Sequence, residues 1–278
     1  MAVRIVTDSS CDLPQPLCDE LGIDVVPLTV RFGDEELLDR KEITTEQFWP
    51  RLSSSSVLPE TAAPPVGAFY ETFKSLADTG ADGIVCINIS SKLSATLQSA
   101  QIAADRLDGT CPIAVVDSES ASMGIGVHVL HAARRAREGA DVDTIVREIA
   151  ERRSRTHVYF TIDTLEFLRR GGRIGGAQAL LGSVLSIKPV LTMEHGAIEP
   201  ATKVRTRSKA LRYLVDKAKE SPVEELAVLH AAAGDIDEFC VMLEPLASRD
   251  ELIVSTIGPV VGVHAGPGTV GVVWLDAR

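Results

Sequence analysis

Short apolar runs alternate with amphipathic ones through the first half of the chain, and this alternation limits the fold more than any other feature. Residues 3–7, 24–30, 84–89 and 113–116 have the length and composition of buried strands. Between them, Val66, Phe69, Tyr70, Phe73 and Leu76 recur at helical spacing, as do Leu93, Leu97, Ala100, Ala104 and Leu107. Pro14 leads into a helix that ends near Gly22, and Thr44-x-x-Gln47 is a capping-box pattern that opens another. Pro50 and the serines at 53–56 stop that helix, and residues 30–38, with Gly33-Asp34 inside them, read as a hairpin-like excursion. A long helix is predicted through His128, His131 and Arg134, and a further one over 143–153. Strand–helix–strand order of this kind closes as a parallel sheet with helices on both faces, a three-layer α/β/α domain.

The second half has a different rhythm. Residues 158–161, 187–192, 198–203, 226–230 and 252–256 are strand-like, with Glu194-His195-Gly196-Ala197 as the turn of a hairpin. Helices are predicted over 208–219 and 236–246, and two more strand-like runs, 260–264 and 269–275, close the chain. Neighbouring strands with few helices imply a two-layer α/β domain with a mixed sheet. The 278 residues exceed the usual single-domain size, and the polar stretch at 152–155 sets the expected boundary: one domain over 1–154, a second over 155–278.

A formal net charge of −11 argues against nucleic acid, whose phosphates require a basic face, and against an anionic membrane surface. Five cysteines, an odd count at irregular spacings with no C-x-x-C, read as free thiols in a reducing cytoplasm. The opening residues MAVRIVTDSS do not have the form of a signal peptide, and no apolar run reaches the about 20 residues of a membrane span.

Candidate chemistry collects at the expected carboxyl edge of the first sheet, where ligands of doubly wound folds bind. Ser90-Ser91-Lys92-Leu93-Ser94 follows the strand at 84–89 and precedes a helix, so backbone N–H groups and hydroxyls there favour a small anion such as a carboxylate. Serine is also a preferred helix cap, which is the plainer reading of the same residues. Asp8-Ser9-Ser10 and Thr61 are expected on the same edge. Residues 169–176, RRGGRIGG, combine arginine with backbone freedom, and Lys203 to Arg207 form a second basic cluster in which Arg205 faces inward if 203–205 is a strand. Both clusters are otherwise solvated surface. Residues 266–271 match G-x-G-x-x-G, but a strand-like run follows them and no βαβ unit does, so a dinucleotide fingerprint is rejected in favour of a tight turn presenting His264. No G-x-S-x-G, Walker A or H-E-x-x-H pattern occurs, and His128 and His131 share a helix face without a third ligand, so neither cofactor nor metal is expected.

Seven pieces in order resemble the DegV family: VRIVTDSSCDLP at 3–14, TAAPP at 61–65, ISSKLSATLQSA at 89–100, VVDSESASMGIG at 115–126, TLEFLRRGGRIG at 164–175, IKPVLTMEHGAIEPATKVRTRSKAL at 187–211 and GPVVGVHAGPGTVGVVW at 258–274. The resemblance implies the two-domain architecture above, with the ligand between the domains: a long-chain fatty acid held between layers, its carboxylate at the domain interface. It also implies presentation of that acid to an ATP-binding fatty acid kinase subunit, which makes an acyl phosphate for phospholipid synthesis. Thr61 and Ser94 then match the hydroxyls on the carboxylate, and His264 the histidine reaching the same head group. Arg173 and Arg205 match arginines of the head group or of phosphoryl transfer, the latter supported by Arg205 and His264. Ala100, Ala103, Ala104, Gly124 and Gly126 would leave room for the tail. The rival readings are a stand-alone acyl hydrolase using Ser94 or Ser9, and a lipid sensor without a kinase partner.

Overall fold

The computed structural model describes residues 3–107, 109, 111–182, 187–249 and 251–278. The first elements are β1 (Val3–Asp8), α1 (Gln15–Leu21), β2 (Ile23–Val26), β3 (Thr29–Phe32), β4 (Glu35–Leu38), α2 (Thr45–Ser54) and β5 (Glu60–Ala62). There follow α3 (Val66–Asp78), β6 (Gly83–Asn88), α4 (Thr96–Asp105), β7 (Ile113–Asp117), α5 (Met123–Arg137) and α6 (Val142–Arg153). The later elements are β8 (Thr156–Thr161), α7 (Glu166–Arg170), β9 (Lys188–Glu194), β10 (Ala197–Val204), α8 (Arg207–Ala218) and β11 (Val223–His230). Helix α9 (Ile236–Leu243), β12 (Ile253–Thr256), α10 (Pro259–Ala265) and β13 (Val270–Asp276) complete the chain.

The first sheet is parallel, in the order β2-β1-β6-β7. Its strands are apolar on both faces because both are covered. Val85 and Ile87 of β6 pack with Ile125 and Val129 of α5 and with Ile145 and Ile149 of α6. Ile84 and Cys86, one step out of phase, pack on the other side with Phe69 and Phe73 of α3 and Ala100 and Ala103 of α4. The period of two along a strand thus feeds two separate cores.

The second sheet is mixed, in the order β10-β9-β8-β13-β11-β12, with only the β11–β12 pair parallel. Val270, Val272 and Trp274 face Leu211 and Leu214 of α8 and Phe239 and Leu243 of α9. Val273, Val158 and Phe160 point the other way, into the same core as α5 and the first sheet. The two sheets therefore share a buried layer, and the fold is a three-layer α/β/α domain joined to a two-layer α/β domain.

A small antiparallel sheet, β4-β3-β5, completes the 30–38 hairpin with a third strand, pairing Thr61 with Val30. Thr61 is thus a strand residue. Residues 24–30 are two strands, parted at Pro27, which has no N–H for a ladder. Thr44 and Gln47 do form a reciprocal capping box, but α2 runs through Pro50 to Ser54.

The run 260–264 is not a strand. It forms α10, with Pro259 at the first helical position and Gly262 N–H donating to Gly258 C=O at 2.8 Å. Tertiary packing overrides the valine-rich composition, since a side chain at Gly262 would lie 2.6 Å from the Phe48 ring and 3.0 Å from Trp49. Glycine lets α10 press onto α2. Gly262→Leu is expected to lose about 1–3 kcal/mol by overpacking. The check is a lower urea midpoint at unchanged slope; an unmoved midpoint would mean that the rings can step aside.

Candidate functional site

A narrow slot of about 80 Å³ runs between the two sheets. Leu28, Ile89 and Leu93 line it from the first domain, and Val158, Phe160, Met193, Ile198 and Leu229 from the second sheet. Ile257, Val260 and Val261, on and just before α10, close one side. Polar side chains gather at one end, where Thr61, Arg173 and His264 also line an outer dish with Glu60, Arg170 and Gly171. These three residues form a neck between an oily interior and a polar exterior.

The neck is built by a strand, a loop and a helix end. Strand β5 supplies Thr61, whose Oγ1 lies 2.8 Å from Nε2 of His264 in the last turn of α10. Arg173 follows α7, and its guanidinium donates to Leu93 C=O at 3.0 Å and to Gly171 C=O at 2.7 Å. That pins it across the loop carrying Ser94. Ser94 lies in the slot wall, bonded to Thr96 Oγ1 at 2.8 Å.

Burial, with Arg173 nearby, pushes the His264 pKa down from 6.5 to about 4, so the ring is neutral at pH 7. Its Nδ1 is buried and unpaired, turned toward Gly171, where an added Cβ would sit 2.1 Å away. A fixed guanidinium, two hydroxyls and a neutral imidazole at the mouth of an apolar slot can hold one small anion through charge-assisted hydrogen bonds.

Four of the sequence candidates, Thr61, Ser94, Arg173 and His264, line this one cavity. His264 does so from a helix rather than a turn. Arg205 does not join them. Strand β10 ends at Val204 and carries a bulge between Pro200 and Thr202, which shifts its alternation, and Arg205 is exposed.

Asp8-Ser9-Ser10 is also structural. The Asp8 carboxylate accepts from Asn88 Nδ2 at 3.0 Å and from Ile89 N–H at 2.9 Å, and Ser9 Oγ accepts from Leu28 N–H. Ser90 Oγ donates to Gly196 C=O at 2.7 Å, tying the first domain to the β9–β10 turn. The small residues expected to make room for a tail are filled elsewhere. Ala100, Ala103 and Ala104 pack with Phe69 and Phe73, while Gly124 is closed by Ser120 and Val158, and Gly126 by Met123 and Leu13. The true slot wall is a set of aliphatic residues scattered over many elements, which no local pattern marks.

Among the described residues no His, Cys, Asp and Glu group could hold a metal, and no helix is long and apolar enough to cross a membrane. Cys11, Cys18, Cys86, Cys111 and Cys240 are free thiols.

Fold and site together define a two-domain α/β protein built around an internal apolar cavity with one polar, cationic end. The chain belongs to the DegV family, whose model, described as an uncharacterised protein family, matches residues 2–277. It is 42% identical to a DegV domain-containing protein of Streptomyces coelicolor, over 98% of this chain and 97% of that one. Its fold superposes on a fatty-acid-binding DegV family protein from Thermus thermophilus with a TM-score of 0.89 at 36% identity, covering 100% of both chains. DegV of Bacillus subtilis, a fatty acid binding protein, gives 0.86 at 30% identity, again covering 100% of both.

In the ligand-free protein the His264 imidazole is expected to stay neutral down to about pH 4. Its folded pKa lies below the unfolded value of 6.5, so its contribution to stability is lost as pH falls from about 6.5 to about 4. Imidazole NMR resonances, assigned with His264→Gln, provide the check, and a midpoint near the ordinary value would mean a solvated ring.

Proposed function

We propose that the protein binds one long-chain fatty acid, its tail parting the walls of the narrow slot and its carboxylate at Thr61, Ser94 and Arg173, with His264 beside them. The observation that carries this reading is the change from an aliphatic wall to a pinned guanidinium and two hydroxyls within a single cavity. The fatty-acid-binding relatives of the same fold support it. Each buried methylene contributes roughly 0.8 kcal/mol, so a long chain gains on the order of 10 kcal/mol before the costs of association.

The dish outside the neck gives the reading its second half. A carboxylate at Thr61 and Arg173 has its outer edge toward Glu60, Arg170 and Gly171, on the far side from the tail. An ATP-dependent fatty acid kinase subunit docking there would find the oxygen exposed and the chain sequestered. The carboxylate oxygen attacks the γ-phosphorus, ADP leaves, and an acyl phosphate remains in the neck. Arg173 and neutral His264 offset the charge that gathers there.

A stand-alone hydrolase finds less support, because it needs a base beside its nucleophile. Ser94 is bonded to Thr96, His264 to Thr61, and Ser9 is buried under Leu28 N–H.

Denaturing mass spectrometry of the organic extract of the purified protein should show nearly one fatty acid per chain. Thr61→Ala/Ser94→Ala should strip it, since hydrogen bonds to a charged group contribute about 1.5–3 kcal/mol each. An empty extract with no uptake of added fatty acid would refute the carrier reading. With a fatty acid kinase subunit and ATP, hydroxylamine should trap an acyl hydroxamate that the protein alone does not give. No hydroxamate from a loaded protein would refute presentation and leave binding intact.

A further inference from the structure

One corner of the slot is held by Asp12. Its side chain accepts from Ser122 Oγ at 2.6 Å and from Gly258 N–H at 2.9 Å. Both partners adjoin the slot. Ser122 lines it, and so do Ile257 and Val260, on either side of the Gly258-Pro259 step. Trp49 Nε1–H, which donates to Ile257 C=O at 3.1 Å, is the next bond along the same loop. Asp12 and Ser122 also have positive φ, 52° and 54°, a backbone region that such residues keep only while their surroundings impose it. A strained corner closed by a few polar bonds is where α10 can part locally from the first domain.

The carboxyl at this corner is 4% exposed and, among the described residues, makes no ion pair. The cation that reaches it, Arg40, lies instead against Cys11 Sγ at 3.6 Å and Cys18 Sγ at 3.9 Å. Asp39, 1% exposed, draws on the same guanidinium. A buried carboxylate without its own counter-ion takes up a proton instead. Burial accordingly pushes Asp12 from 3.8 up to about 7 and Asp39 up to about 6. The hydrogen bonds accommodate either state. Ser122 Oγ can donate to a carboxylate or accept from a carboxyl O–H, and Gly258 N–H donates to the other oxygen in both. Protons have a route, because Asp12, Asp39 and Arg40 line an open pocket of about 570 Å³ whose rim includes the exposed Gln15, Glu46 and Thr256.

The other groups around the corner are set apart from this titration. Asp8 on β1 accepts from Asn88, Ile89 and Ser10. Burial holds the Cys11 thiol up at about 12 and raises that of Cys18 on α1, so both stay neutral. Glu46 on α2 is a surface carboxylate. The start of α5 and β12 present the hydroxyls of Ser122 and Ser255. On α10, His264 acts in the opposite sense, since its pKa of about 4 lies below the ordinary 6.5 and acid favours its exposure.

We propose that Asp12 is a proton-operated latch on the slot: the protonated carboxyl holds α10 closed, and the ionised one, hydrated when the corner opens, lets it go. With the Asp12 pKa at about 7 when closed and 3.8 in water, opening is most suppressed below 3.8, grows as pH rises, and levels off above about 7. Acid thus locks the cargo in, and neutral medium permits exchange. The latch is a property of the protein alone; its effect on cargo rests on the carrier reading.

The test is hydrogen exchange on the full-length, ligand-free protein, with Asp12→Asn as the permanently neutral form. Asparagine can still accept from Gly258 N–H while its amide donates to Ser122 Oγ. The probes are the Trp49 indole and the Gly262 N–H, which donates to Gly258 C=O at 2.8 Å. Their protection in the variant relative to wild type should rise at least about tenfold between about pH 5 and about pH 7, then level off. The comparison cancels His264, which titrates in both proteins. A ratio flat with pH overturns the latch. So does exchange of both probes only as slowly as Leu214 in α8, which would mean global unfolding and no local opening. If Asp12→Asn does not fold, His264→Gln decides. With the opposing titration gone, Gly262 protection should itself fall as pH rises, and level protection overturns the latch. Hexadecanoic acid loaded on both proteins should leave wild type faster than Asp12→Asn at about pH 7, with the difference shrinking toward about pH 5. An unchanging difference overturns the control of cargo, whereas failure of both proteins to load refutes the carrier reading and leaves the latch to the exchange result.

Discussion

The site depends on one buried carboxylate near the start of the chain. Asp12, in the turn after β1, accepts from Ser122 Oγ at 2.6 Å and from Gly258 N–H at 2.9 Å, while its backbone C=O accepts from Ser255 Oγ. These bonds fix the N-terminus of α5 and the loop into α10 to the edge of the first sheet, across 246 residues of sequence in the longest case. Burial pushes the Asp12 pKa up to about 7, even though those bonds favour the ionised form. Trp49 Nε1–H adds a bond to Ile257 C=O at 3.1 Å. Held this way, α10 can offer His264 to Thr61. A helix from the end of the chain thus completes a neck whose other parts come from β5 and the loop after α7.

What the sequence made legible was periodic and local. The strand at 84–89 and the helix stripe of Val66, Phe69, Phe73 and Leu76 were readable because each residue's place follows from the period of its own element. The capping box was readable because both partners lie within four residues. Local pattern placed Ser94 and Thr61 on one sheet edge and singled out the Arg173 segment and His264 separately; only the resemblance joined the four, because long-range packing is what brings them to one cavity.

The misreadings share that cause. Val260 and Val263 favour a strand in isolation, but Pro259 and the ring contacts at Gly262 settle on a helix. Arg205 would face inward if 203–205 were a strand, but β10 stops at Val204 and both Lys203 and Arg205 are exposed. Asp8, Ser9 and Ser10 looked like ligand groups because nothing in the sequence shows that Asn88 and Ile89 already occupy Asp8, Leu28 occupies Ser9, and Ser10 donates to Asp8. The slot wall left no signature at all, because an aliphatic residue facing a cavity is written no differently from one facing a core.

The slot's walls come from the loops at the edge of the first sheet and from the face of the second, and this bears on how the protein will behave as a material. An occupant is a shared component of two cores, and whatever free energy it gains on binding is added to the cohesion between them. Mass action then makes resistance to heat a function of cargo, rising with the ratio of free ligand to its dissociation constant. A half-loaded preparation is a mixture of two stabilities, and its melting curve is broader than either component's.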